Sequence, residues 1–369
     1  MRGELVEDLA RLEELRDAWD DLALATASPY SAPGWLLAWL RHAAPPDARL
    51  QVVAAHDGAE LAGLAPFFST EGELRLLAAR ASAGVQPLAR AGREHEFAAV
   101  VAQTLRGQAA TLVRLEGVPA RAGWPAALAQ AWPGARPWLH DERTVLAPRI
   151  DVAGRSFDEW LATLSPKFRK NMRRLGRRLE EQGATYRLAT EPGEIVQDVE
   201  SFVALHHARW AARGGSGVVD EGIERMLREA APELAPTRRI RLRSIDVEGR
   251  TIACELFVAA GGLVSSWLGG FDDSWAALEP SKQLILKEVE HAFERGETAI
   301  DLGPGEQDFK DRFADGRELL EWTVLVPRGR GYGATRLRVL RGDLRRAASQ
   351  RLGPRSKQAL KRLMRVPGA

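Results

Sequence analysis

Cysteine is almost absent from this sequence of 369 residues: Cys254 is the only one, and it stands in an apolar run. A single thiol can form neither an intrachain disulfide nor a cysteine-based zinc site, and such sparse use is typical of cytoplasmic proteins. No stretch reaches the ~18 apolar residues that span a membrane. Residues 1–22 have the pattern of an acidic amphipathic helix and lack the apolar segment of a signal peptide. We therefore expect a cytoplasmic protein whose chain begins with a helix.

Lysine is also scarce, with 7 lysines against 45 arginines, and the positive charge is unevenly placed. Residues 328–369 carry thirteen basic residues and a single acid, Asp343, whereas the first 327 residues have a net charge of −10. A net acidic body is a poor surface for nucleic acid. With 45% hydrophobic and 28% charged residues, the chain can fold around a sizeable core.

The common catalytic motifs are missing as well. His95 and Glu96 lack the second histidine of a zinc-protease helix, and neither a GxSxG elbow nor a phosphate-binding P-loop occurs. His206 and His207 are adjacent, so on a helix their side chains point about 100° apart and cannot chelate one ion together. The sequence predicts no metal site.

One pattern occurs twice. Short apolar runs flank a turn at Gly58, and a second pair flanks a turn at Gly249; in both places another strand-like run follows. Glycine tolerates the positive φ of a tight turn, so both are predicted hairpins. We infer an internal duplication of one α/β unit. The predicted domains are residues 1–150, residues 151–330 and a basic helical tail at 331–369.

Two further segments carry chemistry. A helix is predicted to begin at Ser165-Pro166 and to carry seven basic residues before it ends at Gly183. Later, strand 263–268, a helix beginning at Pro280 and strand 298–302 follow one another. The first turn of that later helix, with Ser281 and Lys282, has free backbone N–H groups, which suit a phosphate.

The order of these segments resembles the FemAB-like branch of the GNAT acyltransferases, and in particular the CelD-like proteins of cellulose and exopolysaccharide biosynthesis. The resemblance covers roughly residues 28–327. It rests on SPYSAPGWLLAWLRH, SAGVQPLA, SPKFRKNMRRLGRRLEEQG, LHHARWAARG, GGFDDSWAALEPSKQLILKEVEHAFERG, AIDLG and FKDRFADG, in that order. It implies two tandem GNAT-like α/β domains, each with a mixed, mostly antiparallel sheet flanked by helices, and an acyltransferase activity.

The same resemblance implies a donor site for acetyl-CoA or another acyl-CoA, without a metal. The donor would lie between strands 263–268 and 298–302, with its pyrophosphate at the helix that begins near Pro280. The usual R/Q-x-x-G-x-G/A phosphate loop is absent between Asp272 and Lys282. The implied donor-binding residues are Trp267, Leu268, Gly269, Pro280, Ser281, Lys282, Gly303 and Gly305.

Catalytic and acceptor residues follow from the same comparison. Lys310 matches the lysine of a Tyr/Phe-Lys-x-x-Phe motif and would act on the donor carbonyl or an acceptor phosphate. Asp272, and after it Glu255, are candidates for the base that deprotonates an amine acceptor. The acceptor, a small molecule or glycan precursor, would contact Arg169, Lys170, Arg173, Arg174, His207 and Trp210.

Three alternatives remain open from the sequence. The enzyme would acylate an amine of a cell-envelope or exopolysaccharide precursor, or it would be a FemAB-type transferase that uses aminoacyl-tRNA, or it would be a non-catalytic regulatory protein that keeps the fold. In the tail, Leu337, Leu340, Leu344 and Leu352 are spaced as in an amphipathic basic helix. That helix could lie on an anionic membrane at the inner face of the plasma membrane, or could contact RNA.

Overall fold

The computed structural model of the chain describes residues 1–108, 110–211, 214–305 and 308–351. Its strands are β1 (Arg2–Val6), β2 (Arg49–Leu50), β3 (Val52–Asp57), β4 (Glu60–Ala65), β5 (Phe67–Thr70), β6 (Glu73–Leu76), β7 (Leu88–Ala89), β8 (Leu112–Pro119), β9 (Trp138–Asp151), β10 (Thr185–Leu188), β11 (Ile240–Val247), β12 (Arg250–Ala260), β13 (Leu263–Phe271), β14 (Ala299–Asp301) and β15 (Gly316–Val326).

The helices are α1 (Leu9–Glu14), α2 (Arg16–Ala25), α3 (Pro33–His42), α4 (Glu94–Arg106), α5 (Trp124–Ala131), α6 (Phe157–Thr163), α7 (Pro166–Glu181), α8 (Pro192–Ala211), α9 (Glu221–Leu234), α10 (Pro280–Glu294), α11 (Asp308–Phe313) and α12 (Tyr332–Arg351). Short 3-10 turns lie at Pro29–Ser31, Ala120–Ala122 and Asp273–Leu278. Among the described residues, no helix is both long and apolar enough to cross a membrane.

The chain begins with a strand, so the prediction of one helix over residues 1–22 is wrong. Residues Arg2–Val6 pair antiparallel with β3, and the first helix starts only after Asp8, whose side chain accepts a hydrogen bond from the Ala10 amide. The edge of β3 offered backbone partners, and pairing with it outweighed the helical pattern of these residues.

Both predicted hairpins are present. Gly58 joins β3 to β4 with φ +64°, and Gly249 joins β11 to β12 with φ +76°. Each hairpin is followed by a parallel strand pair connected through a helix: β6 and β8 around α4, and β13 and β14 around α10. The repeated order confirms the inferred duplication, and the mixed α/β fold with sheets flanked by helices is as predicted.

The two copies of the unit share one sheet. Eleven strands run in the order β10-β11-β12-β13-β14-β9-β15-β8-β6-β5-β2, and four more form a small sheet, β1-β3-β4-β7. The last strand of the first unit, β9, pairs with β14 of the second, while the last strand of the second, β15, pairs with β8 of the first. Each unit thus completes the sheet of the other.

Helices cover both faces of the sheet in the second unit. Ala253 and Phe257 of β12 pack in one core with Leu284 of α10, whereas Cys254 and Leu256 pack in another core with residues of α8. The alternation follows from the period of two in a strand. Odd-numbered positions of β12 therefore face α10, and the side chain of Glu255 lies on that face.

Candidate functional site

Strands β13 and β14 pair for only three positions and then diverge. Leu263, Val264 and Ser265 lie opposite Ala299, Ile300 and Asp301, and β14 ends there while β13 continues to Phe271. A bulge at Trp267 adds a local bend to β13 at this point. Within the described part of the chain, residues 266–271 have no strand partner on this side. The Gly269 carbonyl oxygen lies 3.3 Å from His206 Nδ1. The other backbone groups on this open side can pair with an extended ligand as an added strand would.

Glu255 occupies the inner end of this gap. It lies opposite Gly269 across the β12–β13 ladder and is only 6% exposed. A Cβ atom at Gly269 would lie 2.0 Å from the Glu255 carboxyl group, so only glycine leaves room for that side chain. Burial raises the pKa of Glu255 to about 7, although nearby Ser281, Arg209 and Lys310 partly oppose the shift. The carboxyl group can therefore exchange protons near neutral pH.

Lys310 approaches the same place from α11. Its Nζ donates a hydrogen bond of 3.3 Å to the Gly303 carbonyl oxygen. Burial lowers the pKa of Lys310, while the negative charges of Asp301 and Glu255 work against that shift. An ammonium group between two carboxylates is held in place and can stabilise negative charge that develops beside it.

Asp301 fixes the loop that joins β14 to α11. Its Oδ1 accepts a hydrogen bond of 2.8 Å from the Gly303 amide, and Gly303 has φ +74°. Burial raises the pKa of Asp301. Burial also raises the pKa of Tyr30, and the nearby negative charge of Asp301 raises it further. Tyr30 belongs to the first unit, so both units contribute to the cluster.

The first turn of α10 has fewer free hydrogen-bond donors and cations for a pyrophosphate than the sequence indicated. Pro280 has no N–H, and the amides of Lys282 and Gln283 already bond to the Glu279 carbonyl at 3.0 and 3.4 Å. The Lys282 ammonium is paired with the Glu279 carboxylate at 2.5 Å. Ser281 remains: its buried hydroxyl faces the Glu255 carboxyl group, whose pKa it helps to lower.

Trp267 and Leu268 contribute their backbone rather than their side chains to the gap. The Trp267 indole donates to the Ala81 carbonyl at 2.9 Å and meets Trp35 edge to face, with ring centroids 5.3 Å apart. Leu268 packs against the core that includes α8. Both side chains pack against other parts of the protein, so only the backbone of this strand edge is available to a ligand.

Asp272, the first-ranked base from the sequence, lies in a different environment. It precedes the 3-10 turn, accepts hydrogen bonds from the Ser274 amide at 2.9 Å and hydroxyl at 2.7 Å, and pairs with Arg250 at 2.8 Å. These bonds hold the pKa of Asp272 below its ordinary value. A carboxylate that is stabilised in its ionised form is a weak base, so Glu255 fits that role better.

A large basic cleft lies on the other side of α10. It has a volume of about 770 Å³ and lies between α7, β10 and α10. Four cations of α7 line it: Arg169, Lys170, Arg173 and Arg177. Within the described residues none of these four has a carboxylate within 4 Å, and the Arg169 Nε is buried without a partner. An unpaired cation row around an open cleft suits an anionic ligand.

The remaining predicted residues lie apart from the Glu255–Lys310 cluster. Arg174 bonds to Asn171 at 2.9 Å and does not line the cleft. His207 faces α9, where its Nε2 lies 2.8 Å from the Glu224 carboxylate. Trp210 is 36% exposed near the end of α8, and its ring lies 6.2 Å from that of His206. Gly305 belongs to the loop after β14 and stands next to the undescribed residues 306–307.

Several residues of the site were not found from the sequence. Tyr30 and Arg209 lie in segments that carry the resemblance, and Ser265 lies in the predicted strand 263–268, but nothing in those segments singles these residues out. Tyr186, Gln283 and Lys287 also line the basic cleft, as does the acidic Glu180. In the described residues, no group of three or more His, Cys, Asp or Glu side chains is arranged to hold a metal ion.

Comparison with known proteins finds a family similarity in the second unit. Residues 166–311 match the family described as acetyltransferase (GNAT) domain. The match contains Glu255, Asp301 and Lys310. These residues are thus similar to GNAT acetyltransferase domains, a class that generally takes its acyl group from an acyl-CoA. No curated protein matches the sequence significantly.

Solved structures share the fold across both units. The crystal structure of FemX has a TM-score of 0.59 at 10% identity, over 88% of this chain and 97% of that one. The C-terminal domain of a putative lysylphosphatidylglycerol synthetase from Agrobacterium fabrum has a TM-score of 0.55 at 11% identity, over 88% and 94%. A conserved protein of unknown function from Bacteroides thetaiotaomicron gives 0.56 at 12%, over 88% and 99%. These similarities support the fold and leave the narrower CelD-like resemblance a prediction.

Proposed function

We propose that the protein is an N-acyltransferase that transfers an acetyl or other acyl group from acyl-CoA to an amine of an anionic cell-envelope or exopolysaccharide precursor. The observation that carries this proposal is the position of Glu255, a buried carboxyl group with a pKa of about 7, beside Lys310 where two parallel strands diverge. The base Glu255, the cation Lys310 and the open edge of β13 therefore lie close together.

The residues present fit an acyl-CoA donor in part. The open edge of β13 after Ser265 can pair with the amides of the pantetheine arm, and Gly269 leaves room for the Glu255 carboxyl group beside that edge. The first turn of α10 supplies few free amides for the pyrophosphate, as described above. The cations of α7 lie next to α10, since the Gln283 side chain donates to the Met172 carbonyl at 3.1 Å.

In the proposed reaction, Glu255 accepts a proton from the ammonium form of the acceptor. The neutral nitrogen then attacks the thioester carbonyl carbon, and Lys310 stabilises the negative charge on the carbonyl oxygen. As the carbon–sulfur bond breaks, the coenzyme leaves as a thiolate and takes up the proton that the newly acylated nitrogen loses. Asp301 acts through the loop, because it holds Gly303, whose carbonyl positions the Lys310 ammonium.

The basic cleft supports an acceptor with negative charge. Among the described residues its four α7 cations have no carboxylate partner, whereas the arginines of β11 are both paired with the buried Glu288. Cations without a carboxylate partner are available to bind an anion. A phosphorylated or carboxylated sugar precursor would place its charge there, with the amine toward Glu255.

The experiment is a coenzyme-release assay with acetyl-CoA and amino sugars, each tested with and without a phosphate or nucleotide. We expect Lys310→Ala to lower kcat about 10²-fold or more, since an oxyanion-stabilising group is lost. Arg173→Ala should raise KM for phosphorylated acceptors only. Its neighbour Arg174→Ala, outside the cleft, is the matched control. An unchanged rate in Lys310→Ala would overturn the proposed mechanism.

A second candidate keeps the fold and changes the donor to an aminoacyl-tRNA. The specific observation in its favour is the first turn of α10, where Glu279 neutralises Lys282 and backbone bonds occupy two amides. Transfer from a charged tRNA without any coenzyme release would favour this candidate. The same Lys310→Ala variant should be inactive under either donor.

A further inference from the structure

Helix α12 docks on the body through its charged side. His140 Nε2 lies 2.6 Å from the Asp343 carboxylate, and Arg346 pairs with Glu142 at 2.8 Å. Arg336 covers the Trp138 ring at 4.6 Å. Val339 is buried among strands β8 and β15 in a small separate core. These contacts fix which face of the helix points inward.

The opposite face carries leucines. Leu337, Leu340 and Leu344 are 48%, 39% and 70% exposed, and their spacing of three and four residues places them in one stripe. Three exposed leucines on one stripe are unusual for a free surface, where large apolar side chains occur singly. An ordinary amphipathic surface helix packs its apolar stripe against the protein. In α12 the leucine stripe faces away from the protein instead.

Basic residues accompany the stripe. Arg341 and Arg345 are exposed beside the leucines and have no carboxylate within 4 Å among the described residues. Asp343, the single acid of residues 328–369, faces inward and is paired with His140 and Arg346. Residues 352–369, whose structure is not described, add five basic and no acidic residues. Within the described part of α12, the charged residues beside the leucines are therefore cationic.

We propose that α12 is a docking helix for an anionic membrane surface. Its leucines would enter the boundary between headgroups and acyl chains, and Arg341 and Arg345 would contact lipid phosphates. A partner protein would have to be both apolar and strongly acidic to fit the same face; an anionic bilayer has this combination throughout. The proposal goes beyond the acyltransferase activity and is independent of it.

The test is vesicle flotation of the full chain with phosphatidylcholine vesicles that contain or lack phosphatidylglycerol. We expect binding only to the anionic vesicles, weakened by high salt since exposed charges are screened. Leu337→Ser/Leu340→Ser/Leu344→Ser should lower the partition coefficient at least about tenfold, because the inserted apolar area is lost. These side chains are exposed, so the fold should persist, and circular dichroism checks it.

The matched control replaces three exposed leucines outside the stripe, Leu24→Ser/Leu146→Ser/Leu319→Ser, and should bind as the unmodified protein does. Three results would overturn the proposal. One is no flotation with anionic vesicles at low salt, and another is flotation that the stripe substitutions leave unchanged. The third is a concentration-dependent dimer, without vesicle binding, that the stripe substitutions dissociate; this would assign the stripe to a second copy of the chain.

Discussion

Glu255 shows how strongly the surroundings of one residue decide its chemistry. In the sequence it is a glutamate between Cys254 and Leu256, and Asp272 ranks ahead of it as the candidate base. In the structure, Glu255 is buried against Gly269 with a raised pKa, and Asp272 is a turn cap with a lowered one. The residue types were evident from the chain; their ionisation was not, because it depends on burial and on neighbours distant in sequence.

The raised pKa of Glu255 predicts the pH dependence of the reaction. Below pH 6 the carboxyl group is protonated and cannot accept a proton, so kcat/KM should rise with pH through about 7. It should fall again at alkaline pH below the ordinary lysine range, because burial lowers the pKa of Lys310. Glu255→Gln should lower kcat/KM about 10²- to 10⁴-fold and remove the acidic limb.

The pH profile of Asp272→Asn separates the two carboxylates. It should keep the acidic limb, since that group is already ionised over this range. An acidic limb that persists in Glu255→Gln and disappears in Asp272→Asn would assign the base to Asp272 instead.

At the scale of elements, α10 is attached to β11 by a buried charge cluster. Glu288 is 0% exposed; its Oε1 accepts from Arg241 Nη1 at 2.7 Å, and its Oε2 accepts from Arg243 Nε. Arg241 also pairs with Glu297 at the end of α10. The cluster fixes α10 relative to the strands, and thereby the position of Ser281 beside Glu255.

Removing the charge of Glu288 should therefore destabilise the protein. Glu288→Gln leaves the buried Arg243 without a carboxylate and Arg241 with Glu297 alone, and we expect a loss of about 3–5 kcal/mol in the free energy of unfolding. Urea denaturation measures it. The control Glu290→Gln removes an exposed partner of Lys287 and should cost at most about 0.5 kcal/mol. Equal effects of the two substitutions would contradict the assigned role of the cluster.

Many elements were predictable because local rules fix them. Gly58 and Gly249 mark the hairpins through their positive φ, Ser165 caps α7, and Pro280 begins α10. The length of strand β9 is not evident from the sequence. Its residues show no alternation of apolar and charged side chains, and they become a strand through pairing with β15, which follows in the chain more than 160 residues later. Such pairing has no local pattern.

At the scale of the whole molecule, the exchange of β9 and β15 makes the two units interdependent. The predicted duplication does not reveal this exchange, because units with exchanged strands and units without exchange contain the same strands. Trp19 and Trp160 report on cores in the first and second unit. Because each unit needs a strand from the other, we expect one cooperative unfolding transition, coincident by tryptophan fluorescence and far-ultraviolet circular dichroism. Two separate transitions would show that the units fold independently.

The central claim is that the gap between β13 and β14 receives an acyl-CoA beside Glu255 and Lys310. Calorimetric titration of the folded protein with acetyl-CoA tests it most directly. We expect one site per chain with a Kd in the micromolar range, which corresponds to a binding free energy of roughly −8 kcal/mol. Lys310→Ala should bind more weakly, and a control at the exposed Lys167, Lys167→Ala, should bind as tightly as the unmodified protein. No heat with acetyl-CoA or any longer acyl-CoA, from protein that is fully folded, would contradict it.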